Sequence, residues 1–147
     1  MSARFTGKVA LVTGGGSGIG RATALAFARE GAIVVVAGRS PEPLAETVKL
    51  IEAEGGRASV ITADVTRADD VARLVEVAVA RHRRLDIAFN NAGVLGTPGP
   101  MVELDEDAWA AVLATNLTGV WLSMKYEIAH MRAHGGGIIV NMASTLG

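Results

Sequence analysis

The 147 residues contain no cysteine, so neither a disulfide framework nor a thiolate metal site can be drawn from them. That fits a reducing compartment, and the cytoplasm is the expected location. Aromatic residues are scarce at 4% while Ala, Val and Gly abound, which suits helices packed closely on a sheet through small side chains. Charge is nearly balanced, with a formal net of -1, and gives no reason to expect a nucleic acid partner. The one basic cluster, Arg81, Arg83 and Arg84, reads as cations at the C-terminal end of a helix. Met1 to Lys8 are polar and carry no long apolar run, so they suggest neither a signal peptide nor a membrane span, and no membrane partner is expected. His82, His130 and His134 fall at expected helix ends without ligand-like spacing among carboxylates; they read as surface residues, and no metal site is expected.

What is present is an alternation. Half of the residues are hydrophobic, enough to bury the core of one domain over residues 1–147. Short, continuously apolar runs read as strands buried on both faces of a parallel sheet: Lys8 to Val12, Ile33 to Ala37, Ala58 to Ala63, Leu85 to Phe89 and Ile138 to Asn141. Between them lie amphipathic helical stretches. Arg21 to Glu30 ends at Gly31; Ser40 and Pro41 open a helix that Gly55 and Gly56 stop; Thr66 followed by Asp69 resembles a capping box. Asp105 opens a long helix reaching about His134, in which Asn116 and Gly119 are unusual interior residues. The four prolines, Pro41, Pro43, Pro98 and Pro100, all avoid the strands. The pattern predicts an α/β fold, a doubly wound parallel sheet with right-handed crossovers and helices on both faces.

In such a sheet ligands bind beyond the carboxyl ends of the strands. After the first strand comes Thr13-Gly14-Gly15-Gly16-Ser17-Gly18-Ile19-Gly20, which can bring a phosphate against backbone N–H groups at the positive end of a helix dipole. Gly14 suits the tight turn, Gly18 close approach, and Gly20 close packing of helix on strand. The G-x-G-x-x-G fingerprint fails, because Arg21 stands where its third glycine belongs; the spacing is T-G-x-x-x-G-x-G. A plain glycine turn is the other reading. After the second strand, no carboxylate is placed to accept from ribose hydroxyls; Arg39 offers a donor fork suited to a 2′-phosphate, with the Ser40 hydroxyl beside it. This favours NADP(H), with NAD(H) possible, unless Arg39 is a solvated loop residue and Ser40 only a helix cap. Asp64 and Val65 could flank an adenine, or Asp64 could cap a turn. In Asn90-Asn91-Ala92-Gly93 two amides can tie strand ends together, and Ala92 and Gly93 leave room for a flat ligand; ordinary turn chemistry is the alternative. Ser144 could hydrogen-bond a substrate carbonyl, or be a loop serine. Asn116, in an apolar helix, should be exposed or hydrogen-bonded at a site.

Taken together and in this order, Thr13-Gly14-x-x-x-Gly18-Ile19-Gly20, Asp64, Asn90-Asn91-Ala92-Gly93, Asn116 within Asn-Leu-Thr-Gly-Val, and Ser144-x-x-Gly147 resemble the short-chain dehydrogenase/reductase family over essentially the whole chain. The resemblance implies a Rossmann-like fold, incomplete after the fifth strand, and hydride transfer between a nicotinamide cofactor and a small alcohol or carbonyl substrate. It implies that Gly14, Gly16, Ser17, Gly18, Ile19 and Gly20 hold the pyrophosphate and that Arg39 and Ser40 meet the 2′-phosphate. Asp64 and Val65 would flank adenine; Asn90, Ala92 and Gly93 would lie against the cofactor, Asn90 also supporting its strand. Asn116 and Ser144 would be two of four catalytic residues. The others, a Tyr-x-x-x-Lys pair that follows the serine in that family, do not occur here. Tyr126 precedes Ser144 and has His130 at the lysine position. The expectation is therefore a piece of a longer, homo-oligomeric enzyme, dimer or tetramer, inactive by itself, with its fifth strand a bare apolar edge. A dinucleotide-binding module without chemistry is the alternative.

Overall fold

The computed structural model describes residues 3–145. Five strands, β1 (Val9–Thr13), β2 (Ile33–Gly38), β3 (Arg57–Thr62), β4 (Ile87–Asn90) and β5 (Ile138–Asn141), form one sheet in the order β3-β2-β1-β4-β5. Every pairing is parallel, with Thr13 beside Ala37 and Asn90 beside Asn141. The helices are α1 (Gly18–Arg29), α2 (Pro41–Ala53), α3 (Ala68–His82), α4 (Glu106–Leu113) and α5 (Gly119–Ala133). The strand order reverses beside β1, between the crossovers that lead out to β3 and out to β5, which is where a doubly wound sheet opens a crevice.

Alternate strand residues feed two cores. Ala10, Val12, Val34 and Val36 pack with Ala24 of α1 and Leu44 and Ile51 of α2, whereas Val9, Leu11, Val35 and Ala37 pack with Leu74, Val75 and Ala78 of α3 and Met131 of α5. Burial on both faces explains why β1 and β2 are continuously apolar rather than alternating. The outer strand β5 is different: Ile138 and Val140 are 62% and 49% exposed.

The long helix runs unbroken from Glu106 to Ala133 as expected, with a π-helical turn at Ala114–Thr118, centred on Asn116, where α4 passes into α5. Two local expectations are corrected. Thr66 does not cap α3; its hydroxyl donates to Asp64 Oδ1, and Arg67 takes the N-cap position without a side-chain bond. His82 is half-buried, its Nε2 3.1 Å from Ser59 Oγ, rather than a surface residue. Ser40 and Pro41 open α2 as expected, although the Ser40 side chain makes no capping bond. Asp105 does cap α4, accepting from Ala108 N–H at 2.6 Å. Among the described residues no helix is long and apolar enough to cross a membrane.

Candidate active site

The turn from β1 into α1 is built on absent β-carbons. Gly14 and Gly18 have φ of +64° and +51°, which favours glycine at both. A β-carbon on Gly20 would overlap the Gly14 carbonyl oxygen, and one on Gly14 would lie 2.9 Å from Asn91 Nδ2. The turn therefore presses against the segment after β4, and its close packing is a property of Gly14 and Gly20. Gly18 instead faces open space, with no neighbouring atom within 4 Å of a β-carbon placed there.

The carbonyl side of this turn is braced in a way the sequence reading missed. Arg21 Nη2 donates to Gly16 O at 2.6 Å and Arg21 Nε to Thr47 Oγ1 at 3.0 Å, while the buried Thr47 hydroxyl donates to Gly15 O at 2.8 Å. Arg21, which breaks the commoner fingerprint, thus fastens the turn to α2. Oxygens drawn toward α2 leave the α1 terminus to an anion, although the Gly15 N–H is itself taken by Ala37 O at 3.3 Å. The available signal was an arginine four residues after Ser17, one helical turn into α1.

Beyond the strand ends lies a cavity of about 270 Å³. Gly14, Gly16 and Ser17 line it from the turn, Arg39 and Ser40 from the end of β2, and Asp64 and Val65 from the end of β3. Ala92 and Gly93 close it beyond β4. Asp64 Oδ1 accepts from the Thr66 hydroxyl at 2.7 Å and the Thr66 N–H at 2.9 Å, so it does form a local turn while also facing the cavity. Those two bonds, with the Arg39 and Arg67 charges nearby, hold its carboxyl below the usual aspartate range. Ile19 is 60% exposed, and neither it nor Gly18, Gly20, Asn90, Asn116 or Ser144 lines this cavity.

The Asn90-Asn91 pair ties strand ends together. Buried Thr13 Oγ1 accepts the N–H groups of Asn91 at 3.0 Å and Ala92 at 3.1 Å, and Asn91 Nδ2 donates back to the carbonyls of Thr13 and Gly14 at 3.3 Å each. Asn90 is buried, and its Nδ2 donates to Glu127 Oε2 at 2.9 Å and to Asn141 Oδ1 at 3.0 Å. Glu127 went unnoticed in the sequence; the one signal was a carboxylate set four residues from both Ser123 and Met131, which α5 buries. Burial pushes its carboxyl from 4.5 up to about 7, against a smaller opposing effect of the Asn90 bond.

Asn116 is exposed and hydrogen-bonded at once: its Oδ1 accepts from Val94 N–H at 2.8 Å and its Nδ2 donates to Val94 O at 2.7 Å. The π-helical turn brings this amide to the backbone of the loop after β4, so Asn116 clips that loop to the helix. Gly119 opens α5 where a β-carbon would lie 2.8 Å from Val65 Cγ2, which lets the helix approach the end of β3. Ser144 lies exposed in the segment after β5. Gly147, the last residue of its motif, lies outside the described residues.

A parallel sheet whose C-terminal strand ends enclose a cavity beside a glycine turn and helix terminus defines a Rossmann-like α/β protein. The family described as short chain dehydrogenase matches residues 8–147, and the chain belongs to it. It is 44% identical over 147 residues to a cyclohexanol dehydrogenase of Acinetobacter sp. (strain SE19), covering all of this chain and 59% of that one. Among solved structures, a putative short-chain dehydrogenase/reductase from Burkholderia xenovorans is 46% identical with a TM-score of 0.93, over 97% of this chain and 58% of that one. An NAD+-bound xylitol dehydrogenase (36% identical, TM-score 0.95) aligns with 98% of this chain and 55% of its own. A metagenomic short-chain oxidoreductase in complex with NADP (35%, TM-score 0.91) aligns with 95% and 63%. The chain thus spans little more than half the length of these relatives.

Proposed function

We propose that the full-length protein is an NADP(H)-preferring oxidoreductase that transfers hydride between the nicotinamide cofactor and a small alcohol or carbonyl substrate. The observation that carries the reading is one cavity that joins the glycine turn at the α1 terminus to Arg39 and Ser40 at the end of β2. The turn fits a pyrophosphate, because its glycines leave backbone where β-carbons would stand and Arg21 and Thr47 hold its carbonyls aside. Arg39 and Ser40 supply a planar cation and a hydroxyl for a 2′-phosphate. Similar proteins are seen with either NAD+ or NADP, so the preference rests on this chain's own Arg39.

Gly14, Gly16, Ser17, Gly18, Ile19 and Gly20 hold the pyrophosphate in this reading, Asp64 and Val65 border the adenine, and Ala92 and Gly93 leave space for the cofactor. Asn90 acts by supporting β4 and β5. The cofactor, when bound, gives or takes the hydride. Ser144 donates a hydrogen bond to the substrate oxygen, and Asn116 keeps the Val94 loop in place beside the reacting groups. The proton donor and its lysine are expected in sequence following the matched segment, so residues 1–147 are read as the first part of one domain. The fold and family fit a cytoplasmic enzyme. Exposed Trp109, Leu117, Trp121 and Ile128 on and between α4 and α5 support a homo-oligomer.

The test is carbonyl reduction by the full-length protein across a panel of small ketones, followed by loss of NADPH absorbance. Turnover with NADPH supports the reading, and NADPH binding without turnover of any ketone or alcohol would assign a binding module instead.

A further inference from the structure

Among the described residues two buried side-chain polar atoms have no hydrogen-bond partner, Asn90 Oδ1 and Glu127 Oε1, and they belong to the two side chains already joined by the 2.9 Å bond from Asn90 Nδ2 to Glu127 Oε2. An acceptor without a donor is costly when buried, and so is a carboxylate oxygen without one. If the acid carries its proton on Oε1, both wants are met by one bond, Oε1–H to Asn90 Oδ1. The pair then closes as a ring of two antiparallel hydrogen bonds, amide N–H to acid C=O and acid O–H to amide C=O, while the second Asn90 N–H remains on Asn141 Oδ1.

Resting on the oxidoreductase reading for its consequence, we propose that Glu127 is a positioning residue: a neutral acid that forms a cyclic acid–amide pair with Asn90 and so fixes the separation of the β4 and β5 ends, from which the Gly93 and Ser144 segments extend.

The surroundings agree. Glu127 is fully buried, and that burial raises its pKa against the smaller opposing effect of the Asn90 amide. α3, packed against α5, turns Val71, Leu74, Val75 and Ala78 inward. From β4 comes Asn90 itself, and Asp86, just before that strand, acts on His130 instead. On α5, Lys125 lies over the Trp121 and Tyr126 rings, 5.4 Å from each centroid. Among the described residues no cation is placed to compensate an ionised Glu127. An amide orientation fixed by an acid also leaves Asn90 one allowed arrangement, because exchanging its oxygen and nitrogen would break the bond to Asn141.

Glu127→Gln reproduces the ring with an amide in place of the acid and carries no proton to lose. In the full-length protein, an infrared difference spectrum of wild type minus E127Q at about pH 5.5 should show the carbonyl stretch of a protonated carboxylic acid, lost at about pH 8.5. E127Q should hold its thermal midpoint at or above that of wild type at the higher pH, while E127A falls below both. With NADPH turnover as readout, E127Q should keep kcat, and E127A should lose about tenfold with little change in KM for NADPH. An E127Q variant as unstable as E127A, or a difference spectrum without the acid band, would overturn the proposal by showing a charged carboxylate. The spectrum and the midpoint do not depend on catalysis, so a protein that reduces no carbonyl would defeat the functional reading and leave the acid–amide pair standing.

Discussion

The carbonyl oxygen of Gly14 occupies the space that a β-carbon on Gly20 would require, so the first turn of α1 and the end of β1 can meet only if Gly20 stays bare. Gly18, between them, has the left-handed φ of +51° but open space around it. Substitution at the two should therefore fail differently. G18A meets only conformational strain, about 1 kcal/mol, whereas G20A must displace backbone, with a loss of about 3 kcal/mol or more in stability. Urea midpoints of the two variants, with NADPH affinity measured alongside, check the ranking.

Arg39 and the phosphate it is proposed to meet predict a selective defect. Arg39→Ala should weaken NADPH binding by about 10- to 100-fold, the range of one charge-assisted contact, while leaving NADH nearly unchanged. Fluorescence titration with both cofactors reads this directly; equal losses for the two would place Arg39 outside the 2′-phosphate contact.

Thr13→Val removes the oxygen that accepts both Asn91 N–H and Ala92 N–H. Shape is nearly conserved, so the loss is that of two partly buried donors left unmet, about 2–4 kcal/mol. Thermal unfolding should show a midpoint lowered by several degrees. Thr13→Ser, which keeps the oxygen, should recover most of it.

Much of this arrangement was legible in the sequence. The five strands are short, mostly apolar runs bounded by glycine and turn residues, and each expected strand appears within a residue or two. The cavity gathers Gly14, Gly16, Ser17, Arg39, Ser40, Asp64, Val65, Ala92 and Gly93 because a parallel sheet delivers every strand end to the same edge. What escaped depends on contacts between distant segments. A π-helical turn at Asn116 has no local signature; it is recognisable only once Val94 is seen to occupy both atoms of the amide. Glu127 escaped because α5 inverts the usual rule, burying Ser123 and Glu127 while leaving Trp121 and Ile128 exposed. Arg21 was visible only as a mismatch, since its partners Gly16 and Thr47 are brought to it by the turn and by α2.

The raised Glu127 pKa sets a pH dependence of stability. Folded protein keeps the proton up to about pH 7, where the unfolded chain has lost it above 4.5. The contribution is therefore greatest below about pH 4.5, declines as pH rises toward 7 and is level above, a total of about 3 kcal/mol. Comparing wild type with E127Q across that interval isolates it from other titrating groups, and the two curves should diverge as the pH rises.

The central claim is that the cavity between the glycine turn and Arg39 receives NADP(H). It is tested most directly by calorimetric titration of the full-length protein with NADPH and with NADH. The account predicts saturable binding of both, tighter for NADPH by about tenfold or more, with the difference abolished in Arg39→Ala. Folded protein that binds neither cofactor, or that binds NADH more tightly, would contradict it.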